Sequence, residues 1–235
     1  MIGIAISPFN RFGGGESAPA SSLLTGLISY WPLQTNSNDI VGSNDGTDTN
    51  IAYSSAAVFN GTSKIAFADT PEINNVQQFT ISGKVKVTSL TTTNDFFSKW
   101  FYPTAGSWFI RCYSNGSIEA YVADAINDTA DNYVKAAVGT IVQDVEYLVT
   151  LVFDGTLTGN VNRCKIYINS TNVTQNGGGT IPSTTTNNTS QGINLGYLPN
   201  ATNPLVGTQR YVGVWNRALT DAEILELTTK VYPFT

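Results

Sequence analysis

Residues 79–87 read FTISGKVKV, and their alternation decides the fold. Phe79, Ile81, Val85 and Val87 fall on one face of an extended chain, while Thr80, Ser82, Lys84 and Lys86 fall on the other. Successive side chains of a strand point to opposite sides, so this pattern predicts an antiparallel strand with one face buried. The same period recurs outward along the chain. YLVTLVFDG puts Tyr147, Val149, Leu151 and Phe153 on one side and predicts a turn at Asp154-Gly155. RCKIYINS puts Cys164, Ile166 and Ile168 inward, with Arg163, Lys165 and Tyr167 outward. SWFIRCYSNGSIEAYV, residues 107–122, predicts a hairpin with a type I′ turn at Asn115-Gly116. Further strands are expected around LISYWPL (27–33), KIAFA (64–68), INLGY (193–197) and RYVGVWN (210–216), with Trp31 and Trp215 in the core.

One segment reads as helix. In TDAEILELTTK (220–230), Thr220 and Glu223 form a capping box, and Ile224 and Leu227 share a face. Asn and Thr make up about a fifth of the 235 residues, and they belong in turns and on strands respectively. The expected fold is all-β: a two-sheet antiparallel β-sandwich with one short C-terminal helix.

Composition narrows the chemistry. The chain carries 12 Lys+Arg against 17 Asp+Glu, a net charge of −5, and no basic stripe to meet a phosphate backbone, so nucleic acid is not an expected partner. It has no histidine, which excludes histidine triads and histidine zinc sites. Cys112 and Cys164 alternate in phase with apolar neighbours and read as buried thiols, able to pair only if their strands are adjacent. No apolar run reaches the ~20 residues needed to span a bilayer. The paired carboxylates of a glycan hydrolase are not found: Glu119 stands alone between Ile118 and Ala120, and Glu146 has only Asp144 nearby. The protein is therefore expected to be non-enzymatic and to use no cofactor.

The order of the pieces resembles laminin-G-like, concanavalin-A-like jelly-roll domains. GLISYWPLQTNSNDIVGSNDGT (26–47) resembles the opening strand and Asn/Asp-rich loop of that family, AVFNGTSKIAFADTPEI (57–73) the next hairpin, and FTISGKVKV the long central strand. FFSKW, VTLVFDG and KIYINSTNV are similar to later strands, while GINLGY and VGTQRYVGVWNRALTDAEILEL (206–227) are similar to the closing strand and helix. The resemblance covers about residues 25–228 and implies a concanavalin-A-like jelly roll. That fold hosts lectins, adhesion modules, glycanases and virion parts, so it does not fix a function. Calcium-binding members usually carry an acidic pair just before the stretch equivalent to VWNRAL; here Arg210 and Tyr211 stand there. A guanidinium repels a cation, so Asp39, Asp45 and Asp48 are expected to shape a loop, with no metal bound. The acidic loop holding Asp124, Asp128 and Asp131 has no recognised metal spacing.

Two segments carry the functional expectations. Residues 1–22 are read as an anchoring arm and a Gly/Ser-rich linker (GGGESAPASS, 13–22), ahead of a sandwich domain at 23–235. Ile2, Ile4, Ile6, Phe9 and Phe12 are the expected anchor side chains, to be buried by another chain. MIGIAISPFNRFGGG is loosely similar to the openings of small bacteriophage structural proteins. The expectation is a virion structural protein (head decoration, spike or tail fibre) displaying a lectin-like domain. Its expected partners are other virion proteins, further copies of itself and host-surface glycans; a secreted carbohydrate-binding or adhesion module is the alternative. Trp100, Phe101 and Tyr102 cluster where one strand ends, and Tyr197 sits in a second loop. These four are the expected ligand-binding residues, because aromatic faces stack on sugar rings.

Overall fold

The computed structural model describes residues 21–101, 105–123, 125, 132–200 and 202–235. The expected arm residues Ile2, Ile4, Ile6, Phe9 and Phe12 lie outside them, as do Tyr102, Asp124, Asp128 and Asp131. The first strands are β1 (Leu27–Trp31), β2 (Thr47–Thr49), β3 (Ala52–Tyr53), β4 (Ala57–Asn60), β5 (Lys64–Ala66) and β6 (Gln78–Val87). Next come β7 (Asn94–Phe101), β8 (Ala105–Cys112), β9 (Ile118–Val122), β10 (Tyr133–Lys135) and β11 (Glu146–Asp154). A helical turn, α1 (Asn160–Arg163), precedes β12 (Cys164–Ile168), β13 (Thr171–Asn172) and β14 (Gln175–Gly178). The chain closes with β15 (Asn194–Leu195), β16 (Val206–Trp215) and the capped helix α2 (Asp221–Leu227).

The strands form two antiparallel sheets. The first runs β13-β12-β11-β6-β16-β4-β3, with β1 on the same edge of β16 as β4. The second runs β14-β10-β9-β8-β7-β15-β5-β2. Between them lies the core that the alternation anticipates: Phe79, Ile81, Val85 and Val87 from β6, Val149, Leu151 and Phe153 from β11, and Trp108, Ile110 and Cys112 from β8. Phe79 stacks on Trp108 across the gap, with centroids 4.9 Å apart. Gly83 is required in β6 because a Cβ there would sit 2.7 Å from Val212 and 3.2 Å from Phe97. Trp31 and Trp215 are both buried.

Several local expectations change. Asp154-Gly155 does not close a two-residue hairpin; residues 155–163 connect β11 to β12 and include α1. The β8–β9 hairpin forms, but its turn is not type I′. Asn115 has no positive φ, and the Gly116 amide donates to the Tyr113 carbonyl with Gly116 at φ +75°. That is a type I turn followed by a left-handed glycine. Cys112 and Cys164 are free buried thiols in different sheets, and burial pushes both thiols up, Cys112 to about 12.

Part of the outer face of the first sheet is closed. Tyr30, Leu148, Val152, Tyr167 and Trp215 meet Leu219, Ile224, Leu227 and Phe234 of the C-terminal segment in a second apolar cluster. Thr80, Ser82 and Tyr167 point away from the inter-sheet core as expected, yet are buried, because α2 and its flanks cover them. Thr80 Oγ1 donates to the Arg217 carbonyl at 2.9 Å, and Tyr167 Oη donates to Asp221 at 2.6 Å. The capping box at Thr220 and Glu223 is present. Among the described residues, no helix is long and apolar enough to cross a membrane.

Candidate functional site

On the second sheet the alternation that buries Trp108, Ile110 and Cys112 sends Ser107, Phe109 and Arg111 outward. The same rule turns Glu119 and Tyr121 outward on β9, and Tyr133 and Lys135 on β10. Register then lines these residues up across strands. One rung pairs Ser98, Phe109, Tyr121 and Tyr133; the next pairs Asp95, Arg111, Glu119 and Lys135. An aromatic row thus runs beside a row of alternating charge.

The aromatic row is a stacked column. Phe109 and Tyr121 lie 4.4 Å apart with planes 24° from parallel, and Tyr121 and Tyr133 lie 5.1 Å apart at 26°. Tyr121 therefore has a ring on each face, so the column offers ring edges and phenol groups for contact. Trp100 abuts Phe109 edge-to-face at 5.2 Å. Two glycines make this possible: a Cβ at Gly106 would lie 2.7 Å from Trp100, and one at Gly177 would lie 2.5 Å from Tyr133.

The charged row has a buried end and an open end. Asp95 is 1% exposed and lies 3.1 Å from Arg111 Nε. Neither group meets the angular requirement of a hydrogen bond in that contact, so the pair is held by charge and not by a directed N–H···O bond. Burial pushes the Asp95 carboxyl up to about 6, and Arg111 pulls it back only in part. The Arg111 guanidinium sits 4.2 Å from the Phe109 ring centroid, a cation–π contact that ties the two rows together. Glu119 accepts from Tyr113 Oη at 2.7 Å and from Tyr121 Oη at 2.9 Å. Burial first, and then this carboxylate, raises both phenols. Lys135 at the far end is exposed. Such a row offers charged donors and acceptors at fixed spacing, which suits a ligand rich in hydroxyl groups.

The sequence-selected aromatics differ in presentation. Trp100 is only 4% exposed and packs with Phe109, Ala123 and Leu198, so its ring serves packing and is not an open stacking platform. Its indole N–H has no acceptor among the described residues. Phe101 is half-buried. Tyr197 is half-buried beside them, tied to β7 by Ser98 Oγ donating to its carbonyl at 2.8 Å, with the Lys64 ammonium 4.8 Å over its ring. Asp95, Phe109, Arg111, Tyr121 and Tyr133 were not selected from sequence, and Glu119 was read as isolated. Their signal was the outward half of the β8–β9 alternation, Phe109-x-Arg111 and Glu119-x-Tyr121.

The acidic loop near β1 is occupied by its own backbone. Asp39 Oδ1 accepts from the amides of Tyr30, Val41 and Gly42 at 2.9–3.0 Å, and Asp45 accepts from the Asp39 amide. Asp48 accepts from Tyr53 Oη at 2.8 Å. Arg210 is committed to Glu146 through two hydrogen bonds of 2.9 and 2.7 Å. Among the described residues, no three acidic or thiol side chains gather as a metal site.

Residues 59–225 match the family described as the concanavalin A-like lectin/glucanases superfamily. No curated protein matches the chain in sequence. Among solved structures, the chain is similar to Trypanosoma rangeli sialidase in complex with sialic acid (16% identity, TM-score 0.66, 86% of this chain and 32% of that one). It is also similar to Domain 4 of AbnA, a GH43 extracellular arabinanase from Geobacillus stearothermophilus, in complex with arabinotriose (19% identity, TM-score 0.60, 86% of this chain and 98% of that one). A third likeness is to botulinum neurotoxin type C, whose cell entry depends upon interaction with two ganglioside molecules (14% identity, TM-score 0.62, 86% of this chain and 50% of that one). The chain thus spans about a third of the sialidase. At these identities the likenesses establish the shared fold.

Proposed function

The chain belongs to the concanavalin A-like lectin/glucanases superfamily, and from that premise we propose that it is a non-enzymatic, glycan-binding structural protein of a virion. The observation that carries the binding half is the row Asp95, Arg111, Glu119 and Lys135 beside the stacked column Phe109, Tyr121 and Tyr133. Saccharides are bound through planar networks of charged donors and acceptors next to aromatic groups, and this face supplies both. Tyr197, whose carbonyl accepts from Ser98 of the aromatic rung, lies next to it. Hydrolysis is disfavoured by the positions of the two acids. Asp95 is buried behind Arg111, and Glu119 is spent on two phenols. Neither is free to act as nucleophile or base.

The virion half rests on the sequence of the arm, whose Ile2, Ile4, Ile6, Phe9 and Phe12 precede a flexible linker. An anchored arm would hold the sandwich on a particle with its glycan face outward, and copies of the chain would add avidity. A secreted carbohydrate-binding module is the second reading, favoured by the likeness to a domain of an extracellular arabinanase.

A glycan array probed with the wild-type chain and with a Glu119→Gln/Arg111→Lys double variant tests the binding half. Glu119→Gln keeps the size of its side chain and Arg111→Lys keeps the positive charge beside Asp95 while losing the planar donor fork, so the melting temperature should hold while binding disappears. Equal binding by the two proteins would defeat the assignment to this face. For the virion half, deletion of residues 1–22 should leave a folded sandwich that no longer incorporates into particles; normal incorporation would defeat it.

A further inference from the structure

We infer a second saccharide site, selective for carboxylate-bearing sugars, on the open half of the first sheet's outer face. It is independent of the glycan face on the second sheet. Beyond the edge of the α2 cover, a pocket of about 320 Å³ opens, lined by Ser54, Lys86, Asp144, Glu146, Thr208 and Arg210. That volume falls in the range of small-ligand sites and is ample for one hexose ring.

The charge there is unusual for this chain. Of its 12 cationic residues, Lys84, Lys86 and Arg210 stand together on two adjacent strands, in register across β6 and β16. Glu146, one strand further, is fully engaged by the Arg210 guanidinium, which reaches it across β6. Among the described residues, Lys84 and Lys86 have no carboxylate within 4.0 Å. Asp144 is the remaining acid at the rim. Counting Lys84, Lys86 and Arg210 against Glu146 and Asp144, the patch keeps one positive charge in a chain whose net charge is −5.

The backbone holds this arrangement at a cost. Pairing of β16 with β6 shifts register between Arg210 and Gly213, and Tyr211 within that bulge has φ +55°. A bulky residue in the left-handed region is strained. The bulge is pinned by the Tyr211 amide donating to Pro32 and by Gln34 Nε2 donating to Tyr211 Oη, both at 3.0 Å. Its result is an aromatic ring with Lys84 at 5.8 Å and Arg210 at 5.3 Å from its centroid. A sugar carboxylate in the pocket would meet Lys86, and ring hydroxyls would meet Thr208, Ser54 and Asp144. Lys84 and Tyr211 border a separate small cleft beside the α2 segment and add positive charge and an aromatic ring next to the pocket. A neutral sugar would leave the Lys86 ammonium unmatched.

The test uses oligogalacturonate, a linear polymer of hexuronic acid, and its methyl ester, in which the same backbone is uncharged. Titration calorimetry of the full chain should show oligogalacturonate binding that weakens as salt rises, with the ester at least about tenfold weaker. A Lys84→Ser/Lys86→Ser variant should lose at least about tenfold in affinity with its melting temperature kept, since both side chains are only half-buried. The Glu119→Gln/Arg111→Lys variant should bind oligogalacturonate as the wild type does. Absence of binding, equal binding of acid and ester, or indifference to the lysine changes would each overturn the site. Loss of binding in the Glu119→Gln/Arg111→Lys variant would place the acid on the second sheet and overturn it as well.

Discussion

The two sheets share one core, yet their outer faces are built differently. Part of the outer face of the first sheet is closed by α2 and the C-terminal segment, so that Trp215, Tyr167 and Val152 become a second hydrophobic layer. The outer face of the second sheet carries charge and phenol groups in register, with Tyr121, Tyr133, Arg111 and Glu119 half-buried and Lys135 exposed. Even the carboxylates differ in sign of response. Arg217 holds Glu223 on the covered face down at about 2, whereas burial pushes Asp95 on the open face up to about 6. A carboxylate stabilised as an anion reads as scaffold. Asp95 is instead buried beside a guanidinium with which it forms no directed hydrogen bond, an unusual setting for a structural carboxylate.

The strongest test of this contrast compares two buried tryptophans. Trp215→Ala should cost about 3–5 kcal/mol, since it empties the covered layer and orphans the Leu23 carbonyl that its Nε1 holds at 2.7 Å. Trp100→Ala should fall at the lower end of the same range, because its ring is buried but lies on a smaller cluster. Only Trp100→Ala should also alter glycan binding. Urea midpoints with a glycan titration measure both, and matching effects on binding would erase the distinction between the faces.

The next effect is one of pH. Asp95 has a folded pKa near 6 against an unfolded value of 3.8, so the folded state favours its protonated form. Its contribution to stability is greatest below 3.8 and declines as pH rises toward 6. Asp95→Asn removes this dependence, and the variant should gain on the wild type by on the order of 1–3 kcal/mol between pH 4 and 8. If wild type and variant keep a constant difference across that range, the carboxylate is not titrating as described.

These contrasts show where sequence was sufficient. The core face of β6, the inward residues of β11 and β12, and the Thr220 capping box were legible, because alternation and capping are local signals. Tyr167 was legible only in direction: no local rule says that a helix some 55 residues later will cover it. The Asn115-Gly116 dipeptide marked a hairpin but not its turn type, since the loop has one residue more than a type I′ turn admits. The candidate site was half legible. Trp100, Phe101 and Tyr197 were found as a cluster of aromatics, whereas Asp95, Arg111 and Glu119 become a row only through the register of three strands. The bulges in β7 that set that register leave no mark in composition.

A smaller effect is expected at Glu223. Its folded pKa lies below the ordinary glutamate value of 4.5, so it stabilises the fold above that pH and loses this as pH falls from 4.5 to about 2. Glu223→Gln breaks the Arg217 pair and weakens the cap, and should cost about 1–2 kcal/mol at pH 7. At pH 2 the variant and wild type should converge. Denaturant titrations at the two pH values measure this; a difference that persists in acid would assign the loss to packing.

The smallest effect expected is none. Chelation with EDTA should leave the melting temperature unchanged, because the acids near β1 are already engaged. Asp39 spends one oxygen on three amides and the other on Asn44 at 3.3 Å, and Asp45 caps the Asp39 amide. Arg210 is paired with Glu146 at 2.7 Å. A cation bound at a hundred times its dissociation constant would add about 2.7 kcal/mol, a shift easily seen in a melt. Asp39→Ala, by contrast, removes acceptors from four backbone amides and should cost about 1–3 kcal/mol with or without EDTA. Sensitivity to EDTA in the wild type that vanishes in Asp39→Ala would turn this loop from a backbone clasp into a metal site.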